Sequence, residues 1–449
     1  MAKYFGTDGI RAKAGEFPLD YDSVYALGRA LVSLAEEEGL ARKFLVGRDT
    51  RESGAWLETA FVHGIRDAGG TALCAGVVPT SAVSLLVKRH GFSAGAVISA
   101  SHNPYFDNGI KIFSSRGWKI DDGWETRLER SLVSPPKKIE RRGGAPDPLP
   151  ELAVEYRDHL KSKFDGLAAR TPLKVVLDCA NGASSGLAPD LFRELGIRVE
   201  AMACQPDGRN INAGCGSLHA EGLARRVVET GADLGIAFDG DADRAMWADE
   251  RGRLLNGDHT LFVQAVHMKA GGRLKTDTVV ATPMSNLGLE KALEKMGIRL
   301  VRAAVGDRFV LEKMAALGAN LGGEQSGHTI FLDDCPTGDG LLTGLKMLEV
   351  LAERGGRMSE LVRGFVEFPQ VLVNVPVIRK TDFSEFPEIT DTLAMVRETL
   401  KNSGRVDLRY SGTEPLARVM VEGEDKAQVE ELARRMAEVL AKHLGRRES

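Results

Sequence analysis

Short apolar runs alternate with helically spaced apolar positions along most of the chain. Val24, Leu27, Leu31, Val32, Leu34 and Ala35 predict a first helix, followed by a strand at 44–47, an apolar-rich stretch at 71–78, a helix after Pro79 and a strand at 94–98. The alternation restarts with a strand at 173–177, a helix ending at Leu195, a strand at 199–203, a helix around 219–230 and strands at 234–238 and 246–248. A third round has a helix at 258–269, a strand at 278–281, a helix at 286–296, a strand at 299–303 and a long apolar-rich helix from Thr337. Such alternation predicts α/β modules in which helices cover largely parallel or mixed sheets. From about residue 370 a shorter unit reads strand, helix, strand, loop, strand, helix. Its last helix puts Val429, Leu432, Ala433, Met436, Val439 and Leu440 on one face, which marks that face as core.

Between Ser134 and Pro150 the pattern lapses into five prolines, two glycines and a run of Lys and Arg, which places the first domain boundary there. Further breaks near 256 and 368 divide the chain into 1–150, 151–256, 257–368 and 369–449. A chain of 449 residues exceeds one core, and 43% hydrophobic with 27% charged residues suggests neither disorder nor a fibrous repeat. The formal charge of -4 gives no global attraction for nucleic acid or an anionic membrane, so an anionic ligand needs a local basic site. Neither a signal-length apolar run at the N-terminus nor the ~20 apolar residues of a membrane helix occurs, and a soluble cytoplasmic protein is expected. Cysteines 74, 179, 204, 215 and 335 form no C-x-x-C pair and read as reduced residues, mostly in the core.

Candidate chemistry lies where strands run into polar loops. The strand at 94–98 enters Ser99-Ala100-Ser101-His102-Asn103-Pro104, where either serine could be a nucleophile or a turn former. His102, as the adjacent residue, is expected to point away from Ser101 and to fix the loop, and no G-x-S-x-G elbow is present. Asn108-Gly109 predicts a hairpin turn with Lys111 just beyond it. The strand at 234–238 ends in Asp239-Gly240-Asp241-Ala242-Asp243-Arg244. Three carboxylates brought together repel unless a cation neutralises them, and oxygen-only ligands suit Mg²⁺ or Ca²⁺. A solvated acidic turn with an Arg counter-ion is the alternative.

Two more loops follow, Glu324-Gln325-Ser326-Gly327-His328 and Arg409 to Pro415. Arginines recur at loop positions 11, 244, 409 and 418, and Ser411-Gly412-Thr413 offers hydroxyls and N–H groups as phosphate-holding turns do. Neither a Gly-Lys dipeptide nor G-x-G-x-x-G occurs, which points to a phosphate on a small molecule and away from a nucleotide. A serine paired with a divalent metal suggests a phosphoserine that gives up and takes back a phosphoryl group.

The ordered set Gly-Thr-Asp-Gly-Ile-Arg, Ser-Ala-Ser-His-Asn-Pro, Asp-Gly-Asp-Ala-Asp-Arg, Gly-Glu-Gln-Ser-Gly-His and Arg-Tyr-Ser-Gly-Thr-Glu-Pro resembles the α-D-phosphohexomutases along the whole chain. The resemblance implies four domains around a central cleft, three related α/β domains with mixed sheets and a smaller C-terminal TATA-binding-protein-like α+β domain. It implies Ser101 as the phosphoserine, Asp239, Asp241 and Asp243 with the serine phosphate as ligands of one Mg²⁺ per chain, and Lys111 and His328 as acid/base candidates with Arg244 nearby. Glu324 and Ser326 would bind sugar hydroxyls; Arg409, Ser411, Gly412, Thr413 and Arg418 would bind the phosphate that is not reacting, and Arg11 would also face substrate. Residues 4–11, 305–310 and 323–328 resemble the glucosamine-phosphate branch most. The implied reaction interconverts glucosamine 6-phosphate and glucosamine 1-phosphate through a 1,6-bisphosphate and feeds amino-sugar nucleotide synthesis. Action on glucose or mannose phosphates, a catalytically silent sugar-phosphate sensor and a metal-dependent phosphatase are the alternatives. The expected partner is a small phosphosugar, with neither nucleic acid nor membrane, and the resemblance allows a homodimer. Ala12 and Tyr410 depart from residues common in the family, Gly and Pro, which puts loop shape in question.

Overall fold

The computed structural model describes residues 4–133, 139, 144–167, 172–401, 403–411 and 415–445. Contacts divide the chain into a larger unit, 1–284 with 297–363, and a smaller one, 285–296 with 364–449. The larger unit holds three mixed sheets. In the first, the strands lie in the order Phe5–Gly6, Gly9–Lys13, Asp107–Ser114, Ala94–Ile98, Lys43–Arg48, Thr71–Val77. The order in the second is Leu254–Leu255, Ala245–Asp249, Leu234–Phe238, Lys174–Asp178, Arg198–Met202; in the third it is Arg299–Arg302, Thr278–Ala281, Leu321–Gly323, Thr329–Phe331.

The sheets share one scheme. Parallel strands joined through helices form the buried side, and the chain then reverses into an antiparallel strand toward the other edge. The three reversals are 99–106, 239–244 and 324–328. Parallel pairing requires a long crossover whereas antiparallel pairing permits a short loop, so these tight connections carry their side chains at the ends of buried strands. Ala94–Ile98 and Leu234–Phe238 are buried at every position, as strands covered on both faces must be.

One expected turn is absent. Asp107–Ser114 is a continuous strand through Asn108 and Gly109, and both are buried. Asn108 Nδ2 donates to Ser53 Oγ at 2.8 Å. A Cβ on Gly109 would come within 2.5 Å of Ser99 O and 2.7 Å of Ile10 O, so the glycine serves close strand approach instead of a reversal. Before Glu324, Leu321–Gly323 pairs as a strand with Thr329–Phe331.

In the smaller unit, Gln370–Pro376, Leu416–Gly423 and Gly404–Tyr410 make an antiparallel sheet with Leu416–Gly423 in the middle, accompanied by helices Pro387–Leu400 and Lys426–Leu444. Val429, Leu432, Ala433, Met436 and Leu440 lie in its core as their spacing predicts, while Val439 packs partly buried against them. Helix Leu287–Lys295 belongs to this unit. Leu287 N donates to the buried Glu422 carboxylate at 2.9 Å, and Arg405 donates to Ser285 O at 2.6 Å.

Candidate functional site

The loop after Ala94–Ile98 distinguishes its two serines. Ser99 Oγ donates to Asp49 Oδ2 at 2.6 Å and accepts the Ser101 N–H at 2.9 Å, so it works within the loop. Ser101 has φ 53, a left-handed conformation uncommon outside glycine, and its Oγ donates to Asp239 Oδ2 at 2.5 Å. Buried Arg51 donates to the carbonyls of Ser101 (2.9 Å), Asn103 (2.8 Å) and Asp107 (3.0 Å), and Asn212 Nδ2 reaches Ser101 O at 2.9 Å. These donors hold the strained loop in shape. His102 does not point away as expected. Its Nδ1 lies 3.3 Å from Ser101 Oγ, and burial, then Arg244 and Arg11, lower its pKa to about 4, which leaves the ring neutral.

Ligand atoms of Asp239, Asp241 and Asp243 all lie within 4.8 Å of one another, and the three residues are buried. Gly240 permits the curl: a Cβ there would meet Ser101 O at 2.5 Å. Thr80 hydroxyl and N–H groups fix Asp241, the N–H donating to Asp241 O at 3.0 Å. Burial, then the charges of Asp243 and Asp241, push Asp239 up to about 8. Asp243 moves the other way: burial opposes ionisation, but Lys111, His328 and Arg244 outweigh it and hold the carboxyl well below its usual range. Lys111 Nζ lies 2.7 Å from Asp241 Oδ2 and 2.9 Å from Asp243 Oδ2. Burial pulls its pKa down, yet Asp241, Asp243 and Asp8 raise it well above the ordinary value, so it stands as an ammonium. Asp241 Oδ1 and Asp243 Oδ1 are buried without a hydrogen-bond partner among the described residues. An oxygen-only, buried set with two oxygens still to satisfy fits a hard dication.

The third loop is stitched to the second by an antiparallel bridge between Arg244 and His328 and by Ala245 N donating to Gly327 O at 3.1 Å. Arg244 Nε lies 3.9 Å from Asp239 and 3.8 Å from Asp243. Glu324 Oε1 accepts the Gly306 N–H at 3.2 Å, and Ser326 Oγ is 3.4 Å from Glu324 Oε2. His328 is buried, with Nδ1 3.6 Å from Asp243 and Nε2 3.3 Å from Asp307. Burial lowers its pKa, but Asp307 and Asp243 raise it further; the Gly338 N–H, aimed at Nε2 from 2.9 Å, works against full protonation.

The larger unit thus brings together Ser101, Lys111, Asp239, Asp241, Asp243, Arg244 and His328, while Arg11 pairs with Asp8 at the same network. In the smaller unit, Arg409 and Arg418 occupy directly opposed positions on paired strands, and Arg409 Nε is 3.3 Å from Asp407. Ser411 follows, its carbonyl accepting Lys380 Nζ at 2.6 Å. Gly412 and Thr413 lie outside the described residues.

Comparison with known proteins decides the lineage. Profiles of phosphoglucomutase/phosphomannomutase α/β/α domains I, II and III match residues 2–136, 154–252 and 256–368, and that of the C-terminal domain matches 372–439. The chain belongs to the phosphoglucomutase/phosphomannomutase family. Phosphoglucosamine mutases of Koribacter versatilis and Solibacter usitatus are 47% and 45% identical to it, with 99% of this chain and 98% and 100% of theirs covered. Among solved structures, a phosphoglucomutase/phosphomannomutase family protein of Burkholderia thailandensis superposes with TM-score 0.80 at 25% identity, covering 98% of each chain. The Aspergillus fumigatus N-acetylphosphoglucosamine mutase, solved with GlcNAc-6P and magnesium, shares the fold with TM-score 0.68 at 17% identity, covering 98% of this chain and 96% of its own.

Several members of this phosphohexomutase network were not predicted from sequence. Asp8 lies inside the quoted Gly-Thr-Asp-Gly run without a role, and Arg51 inside Arg48-Asp49-Thr50-Arg51. Asp307 lies within the quoted 305–310 segment without a role and Lys119 outside any quoted motif, so only the topology joins them to the site, through a Lys119–Asp307 pair at 2.6 Å.

Proposed function

We propose that this chain interconverts glucosamine 6-phosphate and glucosamine 1-phosphate, with Ser101 as the residue that carries the phosphoryl group. The observation that carries this reading is the buried Ser101 hydroxyl, 2.5 Å from Asp239 within a cluster of three carboxylates and one ammonium. Phospho-Ser101 gives its phosphoryl group to the free hydroxyl of the hexosamine phosphate: the Oγ–P bond breaks, a sugar O–P bond forms, and the proton lost by the hydroxyl is balanced by the proton Oγ regains. The resulting 1,6-bisphosphate turns over and returns its other phosphate to Ser101. Lys111, held as an ammonium, is the proton donor of the pair Lys111 and His328. Asp239, Asp241 and Asp243, with the serine phosphate, would hold one Mg²⁺, which supplies charge screening on the phosphoryl group. Arg244 adds positive charge beside the same carboxylates.

Glu324 and Ser326 bind sugar hydroxyls, Arg11 faces substrate, and Arg409, Ser411, Gly412, Thr413 and Arg418 hold the phosphate that is not reacting. Domain limits at 150, 256 and 368, a cytoplasmic site of action and a possible homodimer belong to the same reading. The sugar is supported by the full-length relatives at 47% and 45% identity. Rates on glucosamine, glucose and mannose 1-phosphates, with the matching 1,6-bisphosphate supplied, test it. Glucosamine 1-phosphate is expected to react fastest. A faster glucose or mannose substrate overturns the sugar assignment, and release of inorganic phosphate without isomer overturns the mutase reaction.

A further inference from the structure

Six side chains close a ring in the larger unit in which carboxylates alternate with Lys111, Lys119 and His328; four are buried and Asp8 and Lys119 partly so, and the proposed reaction leaves Asp8, Lys119 and Asp307 without a part. Lys111 Nζ lies 2.9 Å from Asp243 Oδ2 and 3.1 Å from Asp8 Oδ2. Asp8 Oδ1 pairs with Lys119, whose Nζ is 2.6 Å from Asp307 Oδ2. His328 closes the circuit, 3.3 Å from Asp307 through Nε2 and 3.6 Å from Asp243 through Nδ1. The ring takes Asp8, Lys111 and Lys119 from the first sheet's module, Asp243 from the second and Asp307 and His328 from the third.

The backbone holds Lys119 firmly. After strand Asp107–Ser114 the chain folds back, Ser114 N donating to Trp118 O at 2.7 Å and Ile120 N to Ile112 O at 3.2 Å, and Lys119 pairs with Phe113. Lys119 is thereby pinned to the strand that carries Lys111. Its side chain is 9% exposed, and Asp307 is the first residue of helix Asp307–Leu317.

An ion pair that served only to join two modules would need Lys119 and Asp307 alone. Here both carboxylates are shared: Asp8 lies between Lys119 and Lys111, with Arg11 also on it, and Asp307 Oδ2 lies between Lys119 and His328. A carboxylate shared between two cations and deprived of one is drawn onto the other. We propose that Lys119 is a positioning residue: by holding Asp8 against Lys111 and Asp307 against His328, it sets the placement of both acid/base side chains at the Ser101 site. This rests on the assignment of Lys111 and His328 given under the proposed function.

The test uses the full-length enzyme with Mg²⁺. Lys119→Met is expected to lower kcat about 10- to 100-fold, the usual range for partners that orient a reacting group, with KM nearly unchanged. Lys119→Arg should restore most of the loss, and Lys119→Met/Asp307→Asn should be no worse than the poorer single variant, because both act through one network. An unchanged kcat in Lys119→Met, equal damage in Lys119→Arg with a lowered thermal midpoint in both, or losses that multiply in the double variant would overturn the role. Should Lys119→Met fail to fold, the near-isosteric Asp307→Asn decides: reduced kcat at the parent's thermal midpoint supports the role, and parent kcat contradicts it. The ¹H–¹⁵N imidazole signal of His328, assigned with His328→Gln, gives a readout independent of turnover. A parent without mutase activity contradicts the proposed function, whereas an unmoved His328 signal in the folded Lys119 or Asp307 variant contradicts the positioning role.

Discussion

Around Ser101, carboxylates and cations answer one another inside a buried network, whereas Arg409 and Arg418 occupy directly opposed positions on paired strands, with Asp407 beside Arg409, which is a third exposed. Like charges at directly opposed strand positions are unfavourable. In the proposed function the first region holds the reacting group in one geometry and the second holds the phosphate that is not reacting. If the proposed function is right, damage to the first should fall on kcat and damage to the second mainly on KM.

Ser101→Ala gives the largest expected effect, a fall in mutase rate of about 10³-fold or more even with bisphosphate supplied, since a covalent carrier is lost. Full activity in a coupled assay would break the comparison at its centre. Asp241→Asn comes next, with a loss of about 10²-fold or more from removing one charge at the transfer site; EDTA should abolish parent activity and added Mg²⁺ restore it, with retained activity after chelation counting against the metal assignment. Arg409→Ala or Arg418→Ala should raise KM for glucosamine 1-phosphate roughly 10-fold or more, the value of one charge-assisted hydrogen bond. A kcat-only defect there would mean that the two regions do not divide the work.

A separate effect lies outside both regions and is read as stability. Buried Asp339 caps helix Gly340–Arg354 through the Leu342 N–H and accepts the Tyr156 hydroxyl at 2.9 Å, with Cys335 nearby. Burial raises its pKa from 3.8 to about 6, against the Leu342, Tyr156, Ser81 and Leu341 hydrogen bonds. A carboxyl whose folded pKa is raised binds its proton more tightly in the native state. This contribution to stability is therefore present below about pH 4 and is lost as pH rises to about 6, on the order of 2–3 kcal/mol. Between pH 4.5 and 7 the parent should lose about 2 kcal/mol more stability in denaturant melts than Asp339→Asn does, and equal losses would remove the assignment.

Much of this was legible in sequence, because strand ends announce themselves. Leu234–Phe238 and Thr278–Ala281 match their predicted limits, and the aspartate loop follows directly on the first of these. Local pattern failed where a residue's meaning lies across the sheet. Asn108-Gly109 has the residues of a turn, yet close contact with Ser99 and Ile10 makes it strand. Helix Leu287–Lys295 has ordinary periodicity, and only contacts such as Leu287 to Glu422 assign it to the smaller unit. Lys119 and Asp307 are 188 positions apart, and although Asp307 lies in the family-like 305–310 segment, nothing local marks the two as a pair. His102 illustrates the opposite error, since a left-handed Ser101 turns its hydroxyl toward a neighbour that an extended chain would point away.

In the proposed reaction Ser101 carries the phosphoryl group. The most direct measurement is intact mass with peptide mapping of the parent and Ser101→Ala after incubation with glucosamine 1,6-bisphosphate and Mg²⁺. One added phosphoryl group is predicted, mapped to Ser101, absent from the variant and removed from the parent when glucosamine 1-phosphate is added. A phosphoryl group on another residue, or a parent that never gains one while still turning over substrate, would contradict it.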